Sequence, residues 1–482
     1  MIWRQFILVF LIINSLWAGS SPRHSAEKPN IIIIFTDDQG YQDLGCYGSP
    51  DIKTPNIDQL AHEGIRFTDF YVAANVCTPS RAGLLTGRYP VRMGLASGVL
   101  FPHSGKKGLP QSEQTIAELI RSKGYKSACI GKWHLGHTID YLPQAHGFDL
   151  FYGIPYSNDM WLAPELRFSK NVVLHESLTM EKIEDLRRLS HYAWDVTNAP
   201  YMDWIPLMLD EEVVEFPVDQ STLTKKLTDQ AIKFIESNKD GPFLLYLAHP
   251  MPHIPLFASQ RFNGHSAAGL YGDVIEELDY ETGRLLSVLD KLDISKNTLV
   301  IFTSDNGPWL SKGVDGGHAL PLRSGKGSVF EGGMRVPCIM RWPGIIPSNV
   351  MCSDIASTLD IFPTIANFLG INPINEVDGC SLQNIFSGLK KSEVSYYLYY
   401  GVQGRTAAIR VDDWKLIFDI PVGGAGEKKE KETYVSSEFE YELYHLDSDI
   451  GEQVNVIDRF PKRASQMKIR ASEIITRIDS YD

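Results

Sequence analysis

Ile31-Ile32-Ile33-Ile34-Phe35-Thr36-Asp37-Asp38 is the stretch that decides how the rest of the chain is read. Its first five residues are apolar without interruption. A strand with one wet face would alternate, so this one is a strand buried on both faces, as in an α/β sheet with helices on either side. The run ends in two carboxylates, and in open α/β sheets ligands gather at the carboxyl ends of strands. Paired acids at that place suit a hard divalent cation such as calcium or magnesium. Asp-Asp is equally at home in a turn or a helix cap, so the pair needs corroboration from elsewhere in the chain.

Three further units supply it. Gln114 to Lys123 predicts an amphipathic helix, Gly124 a stop, and Tyr125 to Ile130 a strand that leads into Gly131-Lys132-Trp133-His134. Lys132 and His134 would offer a bound anion a fixed charge and an acid or base. Thr222 to Ser237 reads as a helix and Phe243 to Leu247 as a buried strand, running into His249-Pro250-Met251-Pro252-His253-Ile254-Pro255. The prolines stiffen that loop, and its two histidines compete for a role. A helix near Asp273 to Leu292 and a strand Leu299 to Thr303 precede Ser304-Asp305-Asn306-Gly307, and Gly325-Lys326-Gly327 adds a cation. Acids or a histidine thus arrive repeatedly at one edge of one sheet, which is stronger than any single motif.

Val76 to Gly87 is punctuated as a short helix, with Thr78 as cap, Pro79 in the first turn and Gly87 at the end. Cys77 is then placed just ahead of a helix N-terminus, whose unpaired N–H groups favour anions and lower a thiol's pKa. Arg81 lies one turn on, within reach of the same anion.

The 482 residues allow one large or two unequal domains, and the formal charge of -13 excludes a general nucleic-acid or anionic-membrane surface while leaving room for a local cationic pocket. Arg4, the apolar run Phe6 to Ile13 and the small residues Ala18, Gly19 and Ser20 read as an export signal over 1–20, too short to span a bilayer comfortably. Six scattered cysteines (46, 77, 129, 338, 352, 380) imply stability from a core and not from a disulfide framework. The chain has no Asn-x-Ser/Thr acceptor, which favours a bacterial periplasmic or extracellular setting. Tyr156 to Asp219, with Trp161, Tyr192, Trp194, Tyr201 and Trp204, reads as a long excursion over the mouth of the site. Beyond the Pro- and Gly-bearing stretch Gly370 to Gly388, short strands are expected at Tyr396 to Tyr400, Ala407 to Arg410, Trp414 to Asp419 and Glu442 to Leu446. The charged run Glu427 to Glu432 is expected as a solvated hairpin loop, and a helix from Ala464 to Ile478 closes the chain. The expected division is a catalytic domain over 28–385 and a C-terminal α+β subdomain over 386–482.

At these positions the chain resembles the formylglycine-dependent sulfatases, arylsulfatase A-like group. Cys77-Thr78-Pro79-Ser80-Arg81-Ala82 with Thr86-Gly87 resembles the family's first motif, and Gly124-Tyr125 with Gly131-Lys132-Trp133-His134 its second. Gly153-Ile154-Pro155-Tyr156-Ser157, Asp305-Asn306-Gly307 and Glu331-Gly332-Gly333 extend the likeness from Asn30 to about Asn455. The resemblance implies an alkaline-phosphatase-like α/β core, a mostly parallel sheet flanked by helices, with a small C-terminal antiparallel sheet plus helix. It implies that Cys77 becomes 3-oxoalanine (formylglycine) through a formylglycine-generating or anaerobic sulfatase-maturating enzyme that reads Cys-x-Pro-x-Arg. It implies one calcium ion held by Asp37, Asp38, Asp305, Asn306 and the modified residue 77. Arg81, Lys132 and Lys326 would offset sulfate charge, His134 would take the gem-diol proton, and His253, favoured over His249, would assist the leaving alcohol. The implied substrate is a sulfated small molecule or carbohydrate, with neither nucleic acid nor stable membrane insertion. Its rivals are a phosphate mono- or diester hydrolase of the same superfamily and a catalytically silent glycan-binding homologue.

Overall fold

The computed structural model describes residues 28–479 apart from 106, 191–203, 390–395, 402–403 and 419–440. The export signal, Tyr192, Trp194, Tyr201 and the charged run Glu427 to Glu432 lie outside the described residues.

An eleven-stranded sheet organises the molecule. Its strands in chain order are β1 (Asn30–Thr36), β2 (Ile65–Phe67), then, after the separate β3 (Phe70–Tyr71), β4 (Lys126–Lys132), β5 (Leu150–Ile154), β6 (Arg167–Leu174), β7 (Leu207–Leu209), β8 (Glu212–Phe216), β9 (Phe243–Ala248), β10 (Thr298–Ser304), β11 (Cys338–Arg341) and β12 (Val350–Cys352). They lie in the order β12-β2-β11-β10-β1-β9-β4-β5-β7-β8-β6. At the centre β10, β1, β9, β4 and β5 run parallel, with Thr36 opposite Ser304 and Phe35 opposite Ala248. The apolar run explains why this strand is central. Ile31, Ile33 and Phe35 enter one core and Ile32 and Ile34 the other, all at 1% exposure or less. Each such side chain contributes about 1.5–3 kcal/mol on burial.

One core is covered by α1 (Pro55–His62) and by the helices Leu223–Asn238 and Gly269–Lys291, through Ile57, Leu227 and Ile275. The other is covered by α2 (Cys77–Thr86), α3 (Ile116–Arg121) and the helix Ile361–Leu369, through Leu84, Ile116 and Ile361. α3 is shorter than its periodicity predicts because Thr115 caps it: Glu118 N donates to Thr115 Oγ1 at 3.2 Å and Thr115 N to Glu118 Oε2 at 2.8 Å.

The stretch from Tyr156 to Asp219 departs from expectation. It is no simple excursion over the site, because β6, β7 and β8 within it extend the main sheet beyond β5. β7 and β8 are short, and the register shifts where β6, β7 and β8 pair, so the sequence carries little period-2 signal. Trp161 stacks with Phe101 and His103, and Trp204 packs on Phe216 and His175; these two aromatics pack within the fold. Near the C-terminus β14 (Tyr396–Tyr400), β15 (Thr406–Val411), β16 (Trp414–Ile417) and β17 (Glu442–His445) form an antiparallel meander, after the two-residue β13 (Ala356–Ser357) that pairs with β3. The helix Pro461–Asp479 packs Met467, Ala471 and Ile474 against Leu398, Ile409, Leu416 and Leu443 of this sheet. None of the six cysteines, all among the described residues, forms a disulfide. Among the described residues no helix is long and apolar enough to cross a membrane.

Candidate active site at the carboxyl edge of the sheet

The parallel register carries the polar ends of four strands to one place. β1 delivers Asp37 and Asp38, the latter in the left-handed region at φ 62°, and β10 delivers Asp305 and Asn306. Asp305 N donates to Thr36 O at 3.0 Å and Asp38 N to Asp305 Oδ1 at 3.1 Å, so the two strand ends are stitched together. Asp37 N donates to Met251 O at 3.2 Å, which ties in the loop bearing His253. β4 ends at Lys132 with His134 just beyond. Gly131 (φ 113°) is required there, since a Cβ would lie 1.9 Å from Ala248 O of the adjacent strand.

Helix α2 closes the site, with every residue from Cys77 to Thr86 buried. Two expectations fail here. Val76, not Thr78, occupies the cap position, and Cys77 opens the first turn. The Thr78 hydroxyl is engaged elsewhere, accepting from Leu100 N at 3.1 Å and donating to His134 O at 3.0 Å. The Cys77 thiol is pushed up in pKa and not down, because burial and then the Asp37 charge outweigh the cations nearby. As a plain thiol it would be protonated at neutral pH. Gly87 ends the helix as expected, at φ 69°.

Ten sequence-predicted residues converge: Asp37, Asp38, Cys77, Arg81, Lys132, His134, His253, Asp305, Asn306 and Lys326 are all buried. Arg81 donates through Nε (3.0 Å) and Nη2 (2.7 Å) to Asp305 Oδ2 and through Nη1 to Lys132 O at 3.0 Å. Lys132 Nζ lies 2.5 Å from Asp37 Oδ2, and Lys326 Nζ 2.7 Å from Asp38 Oδ1. Cys77 Sγ is 3.5 Å from Asp37 Oδ1. Burial alone would raise Asp37, yet Lys132, His253, Arg81 and Lys326 hold it well below the usual carboxylate range. Asp305 is pushed up to about 7 by burial and by the Asp37 charge. Such opposed shifts mark acids crowded at one point.

The histidines differ in how they are presented. His134 Nε2 lies 2.8 Å from Leu100 O, so that nitrogen carries the proton, while Nδ1 is buried without a partner. Burial and then the Lys132 charge hold this imidazole neutral. His253 places Nδ1 2.6 Å from Ile254 O and Nε2 3.6 Å from Asp38 Oδ2. His249 is buried with Nδ1 unpaired and makes no ion pair with the cluster, and burial pushes it down to about 4. Half-exposed His318 is held by Asp43, through N at 2.9 Å and Nδ1 at 3.1 Å. Ser157 was named only as part of a motif, but its hydroxyl lies between the cluster's two halves, 3.2 Å from Lys132 Nζ and 3.4 Å from His253 Nδ1. Nothing in a lone serine would have singled it out; its place in the loop after β5, beside β4, does.

The donor set fits a divalent cation. Ligand atoms of Asp37, Asp38, Cys77 and Asp305 all lie within 4.8 Å of one another. Asn306 Nδ2 donates to Asp38 Oδ1 at 2.6 Å and to Gly307 O at 3.0 Å, while its Oδ1 is buried with no partner, an orphan acceptor at the rim of the acid cluster. Oxygen donors of this kind suit calcium or magnesium. Three carboxylates face three cations here, so a divalent ion would leave the site positive, as an anionic ester requires.

Comparison with known proteins agrees with this chemistry. A family model described as Sulfatase matches residues 29–371, and one described as N-sulphoglucosamine sulphohydrolase, C-terminal, matches 325–477. The chain belongs to the sulfatase family and is a sulfuric ester hydrolase. It is 35% identical to human (Homo sapiens) steryl-sulfatase, over 87% of this chain and 80% of that protein. It is 41% identical to arylsulfatase A of Bos taurus, over 78% and 71% respectively. The crystal structure of Ps i-CgsB in complex with k-i-k-neocarrahexaose superposes with a TM-score of 0.72 at 30% identity, covering 93% of this chain and 92% of that one. The architecture is accordingly the alkaline-phosphatase-like one of its structural neighbours.

Proposed function

We propose that this chain hydrolyses sulfate esters of a carbohydrate through residue 77 in its formylglycine form, at a calcium site made by Asp37, Asp38, Asp305, Asn306 and an oxygen of residue 77. The observation that carries the reading is the burial of Cys77 at 3.5 Å from Asp37, inside a cluster of acids matched by Arg81, Lys132 and Lys326. Hydrated formylglycine is a gem-diol. One hydroxyl gives up its proton to the carboxylates beside it and attacks sulfur, the S–O bond to the alcohol breaks, and His253 gives the alcohol its proton. His134, through the unpaired Nδ1, then takes the proton of the second hydroxyl, and the C–O bond to sulfate breaks to return the aldehyde. Arg81, Lys132 and Lys326 hold the sulfate oxygens, and Ser157 keeps Lys132 and His253 in register. The bound cation supplies Lewis acidity toward a sulfate oxygen.

The carbohydrate class is supported by the neocarrahexaose bound to one structural relative and by the sulphoglucosamine name of the C-terminal match. We also propose export, a maturation enzyme as transient partner, and functional domains divided near residue 385. The test is mass spectrometry of the residue-77 peptide from active protein, alongside turnover of matched sulfate and phosphate esters of one chromogenic alcohol. Formylglycine with preferred sulfate turnover is expected. An unmodified cysteine in an active preparation, or preferred phosphate turnover, overturns the reading.

A further inference from the structure

We propose that Lys312 and Trp309 form a second anion subsite beside the reacting centre, so that the preferred substrate carries another negative group, sulfate or carboxylate, near the scissile sulfate. The inference rests on the sulfatase reading and specifies its substrate class.

Trp309 stands two residues beyond Gly307, in the segment that leaves the acid cluster. Its indole lies 5.3 Å from the His253 ring, the group proposed to protonate the departing alcohol. Lys326 Nζ, itself 2.7 Å from Asp38, lies 4.4 Å from the centroid of the indole, and Lys312 Nζ lies 4.4 Å from the same centroid. Two nitrogens so placed are less than about 9 Å apart, a spacing that neighbouring charged substituents on one sugar or two linked sugars can bridge.

The two ammonium groups differ in what is left to them. Lys326 is buried against Asp38. Lys312 is exposed, and among the described residues no carboxylate stands within ion-pair distance of it, Asp315 in the same segment included. A surface lysine ordinarily extends into water; this one is drawn back over an indole that borders the site. The backbone holds it there. Lys312 N donates to Trp309 O at 2.9 Å, and Lys326 N donates to Pro308 O at 2.8 Å, which fastens the Trp309 segment to the loop carrying the first cation. Gly316 closes tightly on the same turn, where a Cβ would lie 2.3 Å from Trp309 O. A monosulfated ester of a neutral alcohol would meet only the inner cations; one with a second anion would also meet Lys312.

The matured enzyme, the variant Lys312→Gln and the variant Lys312→Arg should be compared on 4-nitrophenyl sulfate, a monosulfated galactose and the same sugar with a second sulfate on the adjacent hydroxyl. The expected result is a loss of about fivefold to twentyfold in kcat/KM on the disulfated sugar for Lys312→Gln, carried by KM and abolished at high salt. Turnover of 4-nitrophenyl sulfate should stay within about twofold, and Lys312→Arg should retain the preference. Equal losses on all three substrates, or no loss on the disulfated sugar, overturn the subsite while leaving the sulfatase reading intact. Failure of the unmutated enzyme on every sulfate ester would instead overturn the sulfatase reading.

Discussion

Two buried clusters of this protein have the same charge inventory and opposite characters. At the sheet edge Asp37, Asp38 and Asp305 face Arg81, Lys132 and Lys326; between the main sheet and the C-terminal meander Asp69, Glu331 and Glu452 face Arg335, Arg410 and Lys415. In the second cluster each charge stands against an opposite one, and among the described residues its single atom without a hydrogen bond, Glu452 Oε1, lies 2.8 Å from Lys415 Nζ. Lys415 Nζ donates to Glu331 at 2.9 Å and to Val329 O at 2.8 Å and pairs with Glu452 at 2.8 Å, and Glu331 also accepts from Tyr71 at 2.6 Å and Tyr399 at 2.7 Å. In the first, among the described residues, Lys326 Nζ has Asp38 as its one carboxylate, Asn306 Oδ1 has no hydrogen-bond partner, and neither has His134 Nδ1. Buried charge alone therefore does not mark a site. Valences left open, and converging, do.

Breaking each cluster should show this. Cys77→Ser is expected to lower sulfate-ester turnover about 10⁴-fold or more while leaving the urea midpoint unchanged, because it removes the residue that is to become the gem-diol and no packing volume of note. Turnover within tenfold of the unmutated enzyme would remove residue 77 from the chemistry. Lys415→Met is expected to do the reverse. Removing the cation leaves Glu331 and Glu452 buried without it, which costs about 3–5 kcal/mol of stability, read as a lowered urea midpoint. Turnover per folded molecule should change by less than about tenfold. A stable but inactive Lys415→Met would mean that the second cluster is part of the site.

Metal removal sharpens the contrast further. Chelation by EDTA should abolish turnover and also lower thermal stability, since Asp37, Asp38 and Asp305 lose the cation expected between them. Calcium at about a hundredfold over its Kd should restore about 2.7 kcal/mol. Lys415→Met should lose stability equally with and without calcium. An unmodified melting profile on chelation, with calcium also failing to shift it, would dismiss the metal centre.

What the sequence disclosed, and what it withheld, follows the same division. Strand ends were legible because an unbroken apolar run such as Ile31 to Phe35 can sit only between two cores, and its polar terminus has one destination. Local punctuation was legible at Gly87, which ends its helix in the left-handed region. The Thr78 cap was not, because its hydroxyl is taken by Leu100 N and His134 O, residues brought in by the fold. The direction of the Cys77 shift was missed for a related reason. Helix-end polarity can be read locally, whereas desolvation and the Asp37 charge depend on tertiary burial. The strands β6, β7 and β8 escaped because strands paired in irregular register have no clean alternation. The cluster around Glu331 was invisible, since its members come from five segments that only the finished fold unites.

His146 is the control for the whole comparison. It is fully buried against Trp133, beside the second motif, and among the described residues neither ring nitrogen has a hydrogen-bond partner; yet it belongs to no ion pair and to neither group of potential metal ligands. If open valences mattered singly, it would belong to the site. If convergence is what matters, it is only a cost of packing. Burial pushes its pKa from 6.5 down to about 4, so the unfolded chain takes up the proton first as pH falls. Its contribution is then complete above pH 6.5 and is lost progressively as pH falls toward 4. Between pH 7 and pH 5 the loss should be about 1–2 kcal/mol. His146→Phe should remove that part of the acid sensitivity in urea unfolding at the two pH values and leave sulfate-ester turnover within about twofold. A variant whose turnover collapses while its stability is unchanged would place this lone histidine in the chemistry and undo the rule that convergence decides.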